Sequence, residues 1–301
     1  SYNPGFPTFN QQLSGITSVL VPEDVTVDIE FMDMKRFPCR ENVIKFHNRL
    51  IWKLKKLPPY SAVIAADDAA FNYILREQNR TFRGIPLFFC GVNNVPAVIK
   101  ANSGSRLRGV LEAVSVQETL ELIKNLFPQR KTLAVITDST VSGQADLENV
   151  MLTGKNFSFN YKLLSLEHLT FSQLNDSIKE LGGNSSILLL SLYADSAGET
   201  RDFQDELKEI ITHSRVPVFH LWEHGLGKGI IGGKLINHRE QGREVAEMVL
   251  AYLKGTPVKK ITPRNISPNH FMFDYNILKK FKVALSSIPE KSEIINKPES
   301  F

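Results

Sequence analysis

The chain has 301 residues, of which 42% are hydrophobic and 23% charged, a composition typical of an ordinary globular protein whose length favours two lobes. Its 36 basic and 32 acidic side chains leave a net charge of +4, and basic clusters at 53–56 and 279–282 lack interleaved aromatic residues, which disfavours a nucleic-acid partner. Two cysteines, Cys39 and Cys90, are too few for a disulfide framework, and no run approaches the roughly 20 apolar residues of a membrane helix.

The first part of the chain alternates amphipathic helices with short apolar strands. We predict helices at 9–20, 40–57 and 68–79, the last with Asp68 as N-cap, and strands at 25–31, 62–65, 87–90 and 107–111. The opening string SYNPG is typical of a loop that leads into a helix. We therefore expect the strand that would precede this helix, and any export signal, to lie upstream of the chain.

The second part continues the alternation. We predict strands at 132–137, 161–164, 186–192, 216–221 and 271–273, an extended segment at 229–236, and helices from Ser115 to 127, after 138–143, and at 170–181, 203–213, 239–254 and 275–282. Residues 288–298 are typical of an extended linker. Apolar strands separated by helices indicate parallel sheets covered on both faces, so the predicted fold class is α/β, with two doubly wound parallel-sheet lobes.

The segment HLWEHGLGKGIIGG at 220–233 matches two functional strings. His220 and His224, with Glu223, fit the zinc string H-x-x-E-H, which requires a helix, whereas Pro217 favours a strand in which the two imidazoles would be roughly 13 Å apart. The glycines fit the dinucleotide string G-x-G-x-x-G, which must open a helix, whereas 229–236 is predicted to be extended. We therefore expect neither a metal nor a nucleotide cofactor here.

Five glycines crowd the same segment: Gly225, Gly227, Gly229, Gly232 and Gly233. Glycine tolerates large dihedral changes. We interpret the segment as a flexible connection between two lobes that open and close. An ordinary surface loop is the alternative.

Hydroxyl side chains follow the strand predicted at 132–137, and ligands of doubly wound sheets sit beyond the carboxyl ends of strands. Ser139, Thr140 and Ser142 stand at the N-terminus of the next helix. Backbone N–H groups and the helix dipole favour an anion there, such as the carboxylate of a small molecule. For Ser142, a simple helix cap is the alternative.

Other side chains at strand ends could hold the rest of such a ligand. Carboxylates could hold an ammonium group, and we single out Asp67, Asp195 and Glu223. Aromatic rings could sandwich a planar or apolar body, and the candidates are Tyr2, Phe6, Tyr193 and Trp222. The ordinary alternatives are a helix cap for Asp67 and Asp68, turn formation for Asn93 and Asn94, core packing for Trp222 and solvation for Asp195.

Nine strings spread over nearly the whole chain resemble one group of bacterial proteins. They are SYNPGFPTF, FMDMKRF, KLPPYSAVIAADDAAF, FCGVNN, GVLEAVS, ITDSTVSGQADL, LLLSLYADSAG, FHLWEHGLGKGIIGGK and INKPESF. Together they resemble the extracytoplasmic sensor regions of membrane signalling proteins, which belong with the substrate-binding proteins of ABC-type importers, including tryptophan and tyrosine binders. The resemblance implies a type I periplasmic binding protein fold, in which two lobes joined by three crossing strands close on a small ligand.

The resemblance also assigns boundaries and site residues. It implies lobe 1 at 1–111 and 234–263, lobe 2 at 112–233 and 264–287, and a tail at 288–301 toward a membrane helix, with crossings near 111–114, 232–235 and 261–267. The chain departs from the family pattern by starting after the first strand, which would leave the sheet of lobe 1 one strand short. The residues that match cleft-lining positions are Asn3, Asp67, Asn93, Ser139, Thr140, Tyr193, Trp222 and Glu223.

These observations predict an extracytoplasmic sensor domain that binds an amino-acid-like or small carboxylate ligand in the cleft and reports it by lobe closure. In such sensors a membrane helix and a histidine kinase or diguanylate cyclase follow the domain. We expect no cofactor, and no nucleophile–base pair indicates an enzyme in this chain. The alternative is a free solute-binding protein of an ABC importer for an aromatic amino acid. Both a monomer and a homodimer remain open.

Overall fold

The computed structural model describes residues 7–34, 37, 39–104 and 106–299, apart from the side chains of Pro7, Val141 and Ser142. The helices are α1 Pro7–Leu20, α2 Arg40–Leu54, α3 Asp68–Glu77, α4 Val95–Ser103, α5 Val116–Leu126, α6 Val141–Gly154, α7 Phe171–Lys179, α8 Phe203–His213, α9 His238–Leu253 and α10 Tyr275–Lys280. The strands are β1 Val63–Ala66, β2 Leu87–Val92, β3 Leu107–Leu111, β4 Thr132–Thr137, β5 Asn160–Ser165, β6 Ser185–Leu189, β7 Val218–Phe219, β8 Gly232–Ile236, β9 Asn269–Asp274 and β10 Glu293–Ile295.

The chain divides into two compact units. Unit 1 comprises the residues up to Ala113 together with Asn237–Pro268, and unit 2 comprises Val114–Ile236 together with the residues from Asn269 onward. The chain therefore passes from one unit to the other three times. Each unit has its own sheet and its own buried clusters.

Unit 1 is built on a parallel sheet in the order β1–β2–β3. Successive residues of β2 serve opposite faces, since Phe88 clusters with Ile16 of α1 and Val245 of α9, whereas Phe89 clusters with Phe71 of α3. Both phenylalanines of β2 are fully buried, and each contributes roughly 1.5–3 kcal/mol through burial. The sheet is covered on both faces, as the apolar strands predicted.

The strand predicted at 25–31 does not form. Val25 and Val27 do pack against the cluster that contains Phe88. Asp28 belongs to the polar set of the alternating pattern, and it accepts a hydrogen bond from the Tyr60 hydroxyl at 3.0 Å. The alternating pattern thus predicted which side chains are covered. A strand also requires a neighbour in a backbone ladder, and the described residues supply none to this segment.

Unit 2 is built on seven strands in the order β10–β9–β8–β7–β6–β4–β5. Alternate residues of β4 again serve opposite faces, since Leu133 clusters with Leu120 of α5, and Ile136 clusters with Leu207 of α8. The pairing of β8 with β9 is antiparallel and the other neighbours are parallel. This one pair departs from the predicted parallel pattern because β9 follows the return of the chain from unit 1 rather than a direct strand–helix–strand crossover.

The residues predicted as a linker, 288–298, include a strand. Glu293–Ile295 forms β10, which pairs with β9. Asn296 donates from Nδ2 to the Asp274 carboxylate at 3.1 Å, and the Nδ1 atom of His270 lies 2.8 Å from the Glu293 carboxylate. The linker prediction is wrong for these residues because a three-residue strand is too short to show a period in the sequence.

The glycine-rich segment lies inside unit 2, which continues to Ile236. A Cβ atom on Gly229 would lie 2.6 Å from a methyl carbon of Ile211, and one on Gly232 would clash with the Met272 carbonyl oxygen. Gly232 also has a φ of +140°, which strains any other residue. The glycines therefore permit close packing around β8, and their interpretation as a flexible connection between lobes is wrong.

Candidate ligand-binding site

Three neighbouring strands of unit 2 end at one edge of the sheet. Strands β4, β6 and β7 lie side by side and run parallel, so the loops that follow them meet at their carboxyl ends. The β4 loop carries Ser139 and Thr140, the β6 loop carries Tyr193, and the β7 loop carries Trp222 and Glu223. The structure thus brings the predicted site residues of unit 2 to the same edge.

The β4 loop ends in the N-terminus of α6. The Thr140 hydroxyl accepts a hydrogen bond from the Gly143 N–H group at 3.1 Å and caps the helix, while Ser139 is exposed beside it. Ser142 belongs to the first turn of α6, but its side chain lies outside the described part of the structure. A 14-residue helix with the exposed Ser139 beside its first turn favours an anion there.

A residue that the sequence analysis did not select, Asp138, organises this edge. Asp138 is fully buried, and its Oδ1 atom accepts hydrogen bonds from the Thr140 N–H group at 3.0 Å and the Thr140 hydroxyl at 2.5 Å. Its Oδ2 atom accepts a hydrogen bond from the Tyr193 N–H group at 2.7 Å. One carboxylate therefore joins the loop after β4 to the loop after β6. The sequence signal was an aspartate directly after a buried strand and two residues before a threonine.

An aromatic cluster forms the other part of the edge. The Phe203 ring lies 6.4 Å from Tyr193, 4.5 Å from His224 and 5.4 Å from His220, measured between ring centroids. The Trp222 ring lies 5.1 Å from that of His220. Tyr193 and Trp222, which were predicted to contact a ligand, are therefore connected through the rings of Phe203 and His220.

Tyr193 and Trp222 are both accessible from this edge. Tyr193 keeps 36% of its surface exposed and Trp222 is half-buried. Burial of the Tyr193 hydroxyl, together with the charges of Asp138 and Asp202, raises its pKa to about 12, so it stays protonated and can donate a hydrogen bond. Trp222 also packs against the apolar cluster beneath it, so core packing and ligand contact are both open to this residue.

The two histidines of the zinc-like string lie closer together than the sequence predicted. Their Nε2 atoms are 3.3 Å apart, because a short 3-10 helix, Glu223–Gly225, turns the chain between them. The expected separation of roughly 13 Å is therefore wrong. Among the described residues, no group of three or more His, Cys, Asp or Glu side chains could hold a metal ion. The glycines behind the histidines lead into β8 rather than a helix, as predicted.

His220 is neutral in this arrangement. Its Nδ1 atom donates to the Leu189 carbonyl oxygen at 2.8 Å, so Nε2 carries the lone pair and accepts from His224. Complete burial lowers the pKa of His220 to about 4. The neutral His220 ring lies next to Trp222, with 5.1 Å between the ring centroids.

The two carboxylates predicted to hold an ammonium group in unit 2 differ. Glu223 is half-buried at the start of the 3-10 turn. Asp195 is buried, and it accepts hydrogen bonds from the backbone N–H groups of Phe171, Ala197 and Glu199. Burial would raise the pKa of Asp195, but these bonds outweigh it and the pKa is lowered. Asp195 therefore organises its loop, and neither an ammonium contact nor a solvated position describes it.

In unit 1, the N-cap of α3 is Asp67, one residue before the predicted cap. Asp67 has a φ of 87° and is the N-cap of α3, since its carboxylate accepts from the N–H groups of Ala69 and Ala70. Asp68 was the predicted cap, and it is the first helical residue instead. Burial and the charges of Asp67 and Glu112 raise the pKa of Asp68.

The asparagines of unit 1 also separate by role. Asn94 caps α4 by accepting from the Ala97 N–H group at 3.1 Å, whereas Asn93 is exposed. Tyr2, Asn3 and Phe6 lie outside the described residues. Sequence analysis missed Glu112, a buried carboxylate that directly follows β3 and lies 3.6 Å from the Nε2 atom of buried His238.

The architecture and strand-end loops define a class of protein. The structure superposes over 97% of its length on the ligand-free, open structure of a substrate-binding protein with adhesive properties from Clostridium difficile, with a TM-score of 0.69 and 17% identity, covering 96% of that chain. It superposes over 96% on a domain from Streptococcus pneumonia in complex with L-Trp, with a TM-score of 0.67, 14% identity and 96% coverage of that chain. The chain has a type I periplasmic binding protein fold, as predicted.

The sequence model of the ABC transporter substrate-binding protein family matches residues 43–291, and the chain belongs to that family. Such proteins typically bind ligands outside the cytoplasm without transforming them. A curated relative, the tyrosine-binding protein of Clostridioides difficile (strain R20291), is 22% identical over 177 residues. That match covers 58% of this chain and 50% of the relative, so the chain spans about half the length of the curated relative it matches.

No helix in the described part of the chain combines the length and apolar character needed to cross a membrane.

Proposed function

We propose that the chain binds a small ligand with a carboxylate and an aromatic or apolar body at the carboxyl edge of the unit 2 sheet. The observation that carries this proposal is the carboxylate of Asp138, which holds both Thr140 at the start of α6 and Tyr193 of the aromatic cluster. An anion-favouring helix start and an aromatic surface are thereby fixed side by side. An aromatic amino acid presents both complementary groups on one small molecule.

The relatives support an amino-acid ligand. One is named a tyrosine-binding protein, and one similar structure holds L-Trp. Ser139, Thr140, Ser142, Tyr193, Trp222 and Glu223 remain the proposed contacts in unit 2. Asn3, Asp67 and Asn93 remain predictions from the resemblance.

A ligand screen tests the proposal directly. L-Tyrosine and L-tryptophan should stabilise the protein by about 2.7 kcal/mol at a concentration of 100 times Kd, seen as a raised melting temperature and confirmed by calorimetric titration. Tyramine, which lacks the carboxylate, and L-alanine, which lacks the ring, serve as matched controls and should bind more weakly. Equal stabilisation by all four compounds would contradict the proposal. A wider library of amino acids and small carboxylates in which no compound stabilises the protein would contradict it as well.

For the cellular role, we propose a sensor domain of a bacterial membrane signalling protein. The support is the resemblance of the nine strings to extracytoplasmic sensor regions. The family match supports the alternative, a free solute-binding protein of an ABC importer, as well as it supports the sensor domain. The reading frame beyond residue 301 distinguishes them, because an in-frame membrane helix followed by an output domain fits the sensor and a stop codon fits the importer.

Membrane anchoring and dimer formation remain predictions of the sensor proposal. The purified chain should be compared with and without ligand by light scattering coupled to size exclusion. A ligand-dependent change from monomer to dimer would support a signalling role, and a monomer under both conditions would favour cargo delivery.

A further inference from the structure

We propose that Asp138 is a positioning residue that sets the distance between the anion-favouring start of α6 and the aromatic wall at Tyr193. The inference rests on the proposed function and deepens it. Asp138 would not touch the ligand, because it is fully buried. It would act through the two loops that its carboxylate joins.

The hydrogen bonds of Asp138 leave it little freedom. Its carboxylate accepts from two groups of Thr140 and from the Tyr193 N–H group. Its own N–H group donates to the Ser191 hydroxyl at 3.3 Å, and its carbonyl oxygen accepts from Nε2 of Gln144 at 2.8 Å. The residue is thus bonded to the β4 loop, the β6 loop and the body of α6 at the same time.

These bonds also fix the state of the Thr140 hydroxyl. Its proton is donated to Asp138, and it accepts from the Gly143 N–H group. The hydroxyl therefore acts as a link between the carboxylate and the helix start. A ligand anion would then face the N–H groups of the first turn and the exposed Ser139.

Gly143 provides the space in which this arrangement is possible. A Cβ atom at this position would clash with the Ser191 hydroxyl and would lie 2.5 Å from Oδ1 of Asp138 and 3.0 Å from the Thr140 hydroxyl. Gly143→Ala should therefore displace the same bonds while leaving the carboxylate present. It offers a second, independent way to disturb the position of Asp138.

Asp138→Asn is the sharper substitution. The asparagine amide can accept on one oxygen, but its NH₂ group would face a donor from either Thr140 or Tyr193. One loop is then released while side-chain volume is preserved. The affinity for L-tyrosine should fall roughly 10- to 100-fold, the range for loss of a buried hydrogen bond to a charged group.

Asp274→Asn is a matched control in the same unit. Asp274 is also buried and also caps a helix, accepting from the Asn276 N–H group on one oxygen and from Asn296 on the other. Gly183→Ala is the control for Gly143→Ala, because a Cβ atom there would meet nothing within 4 Å. Both controls should bind L-tyrosine within roughly twofold of the wild type.

The experiment combines titration with L-tyrosine and L-tryptophan and amide hydrogen exchange of Tyr193 and Gly143 in the ligand-free protein. We expect Asp138→Asn to speed exchange at the amide of the loop that it releases, either Tyr193 or residue 143, and Gly143→Ala to speed exchange at both. Both variants should weaken binding, and the controls should do neither. If Asp138→Asn binds as tightly as Asp274→Asn, or if the amides of Tyr193 and Gly143 both stay protected in it, the role of Asp138 is refuted and the proposed function stands. If the wild-type protein binds neither amino acid, the proposed function itself has failed.

Discussion

The carboxylates at the carboxyl edges of the two sheets have different surroundings. In unit 2, three hydrogen-bond donors surround the carboxylate of Asp138, so its oxygen atoms are engaged in bonds that hold two loops. In unit 1, burial and the neighbouring charges of Asp67 and Glu112 raise the pKa of Asp68. A carboxylate at a strand end therefore does not define an ammonium site by itself. The hydrogen-bond donors that the protein already supplies to a carboxylate decide how much of its charge the edge of the sheet presents to a ligand.

The largest expected effect tests whether the unit 2 edge depends on close strand packing. Gly232→Ala should lower the free energy of unfolding by about 4 kcal/mol, because it adds a clash with the Met272 carbonyl to an unfavourable φ. Gly198→Ala is the matched control, since Gly198 has a φ of +78° but open space around it. Urea unfolding measures both. Equal losses would show that backbone conformation, and not packing, limits this edge.

The second prediction concerns the neutral histidine beneath Trp222. The unfolded chain protonates His220 near its ordinary pKa of 6.5, whereas the folded protein resists protonation until about pH 4. Its contribution is therefore complete above pH 6.5 and falls by about 3 kcal/mol as the pH drops to 4. Unfolding free energies of the wild type and His220→Gln should be compared across this range. A wild-type slope no steeper than that of the variant would contradict the buried neutral state.

The third prediction separates ligand contact from core packing at Trp222. Trp222→Ala should weaken L-tyrosine binding roughly 30-fold, as expected when a central aromatic contact is removed. Trp52→Ala is the control, because Trp52 of unit 1 is 62% exposed. Calorimetric titration of both variants decides the matter. Loss of stability without loss of affinity would assign Trp222 to the core alone.

The smallest effect concerns the acidic edge of unit 1. Because the pKa of Asp68 is raised in the folded protein, its charged form opposes folding as the pH rises above the ordinary pKa of 3.8. Asp68→Asn should therefore stabilise the protein at pH 7 by less than about 1 kcal/mol. Asp176→Asn should act in the opposite direction, because Lys179 lowers the pKa of Asp176. A lower melting temperature for Asp68→Asn would show that the hydrogen bonds from the backbone N–H groups of Asn93 and Asn94 outweigh the cost of burial and the repulsion.

Much of the fold could be predicted because the apolar periods are strong. Strands β3 and β4 and helix α8 form with the predicted bounds. The failures occur where tertiary structure decides. Residues 25–31 have a strand pattern but no described neighbour, and β10 exists only because β9 offers it a ladder. Helix α4 was not predicted, since its sequence VPAVIKANS gives only two turns and no long period.

The candidate site could be predicted as a region but not as a mechanism. The strand-end rule selected Thr140, Tyr193 and Trp222, which do lie at one edge of the unit 2 sheet. It passed over Asp138, whose importance depends on a donor 55 residues away at Tyr193. It also could not predict the 3-10 turn that places His224 next to His220. That turn packs against Phe203, which is distant in the sequence.

The contact between α1 and α9 has a consequence for how the protein folds. A Cβ atom on Gly15 would clash with the Arg239 carbonyl, and one on Gly242 would clash with the Gln12 carbonyl, so the two helices meet backbone to backbone. Helix α9 begins at His238, 218 residues after α1 ends at Leu20 (238 minus 20). Contacts between segments so far apart in sequence slow folding, because a long loop must close before they can form.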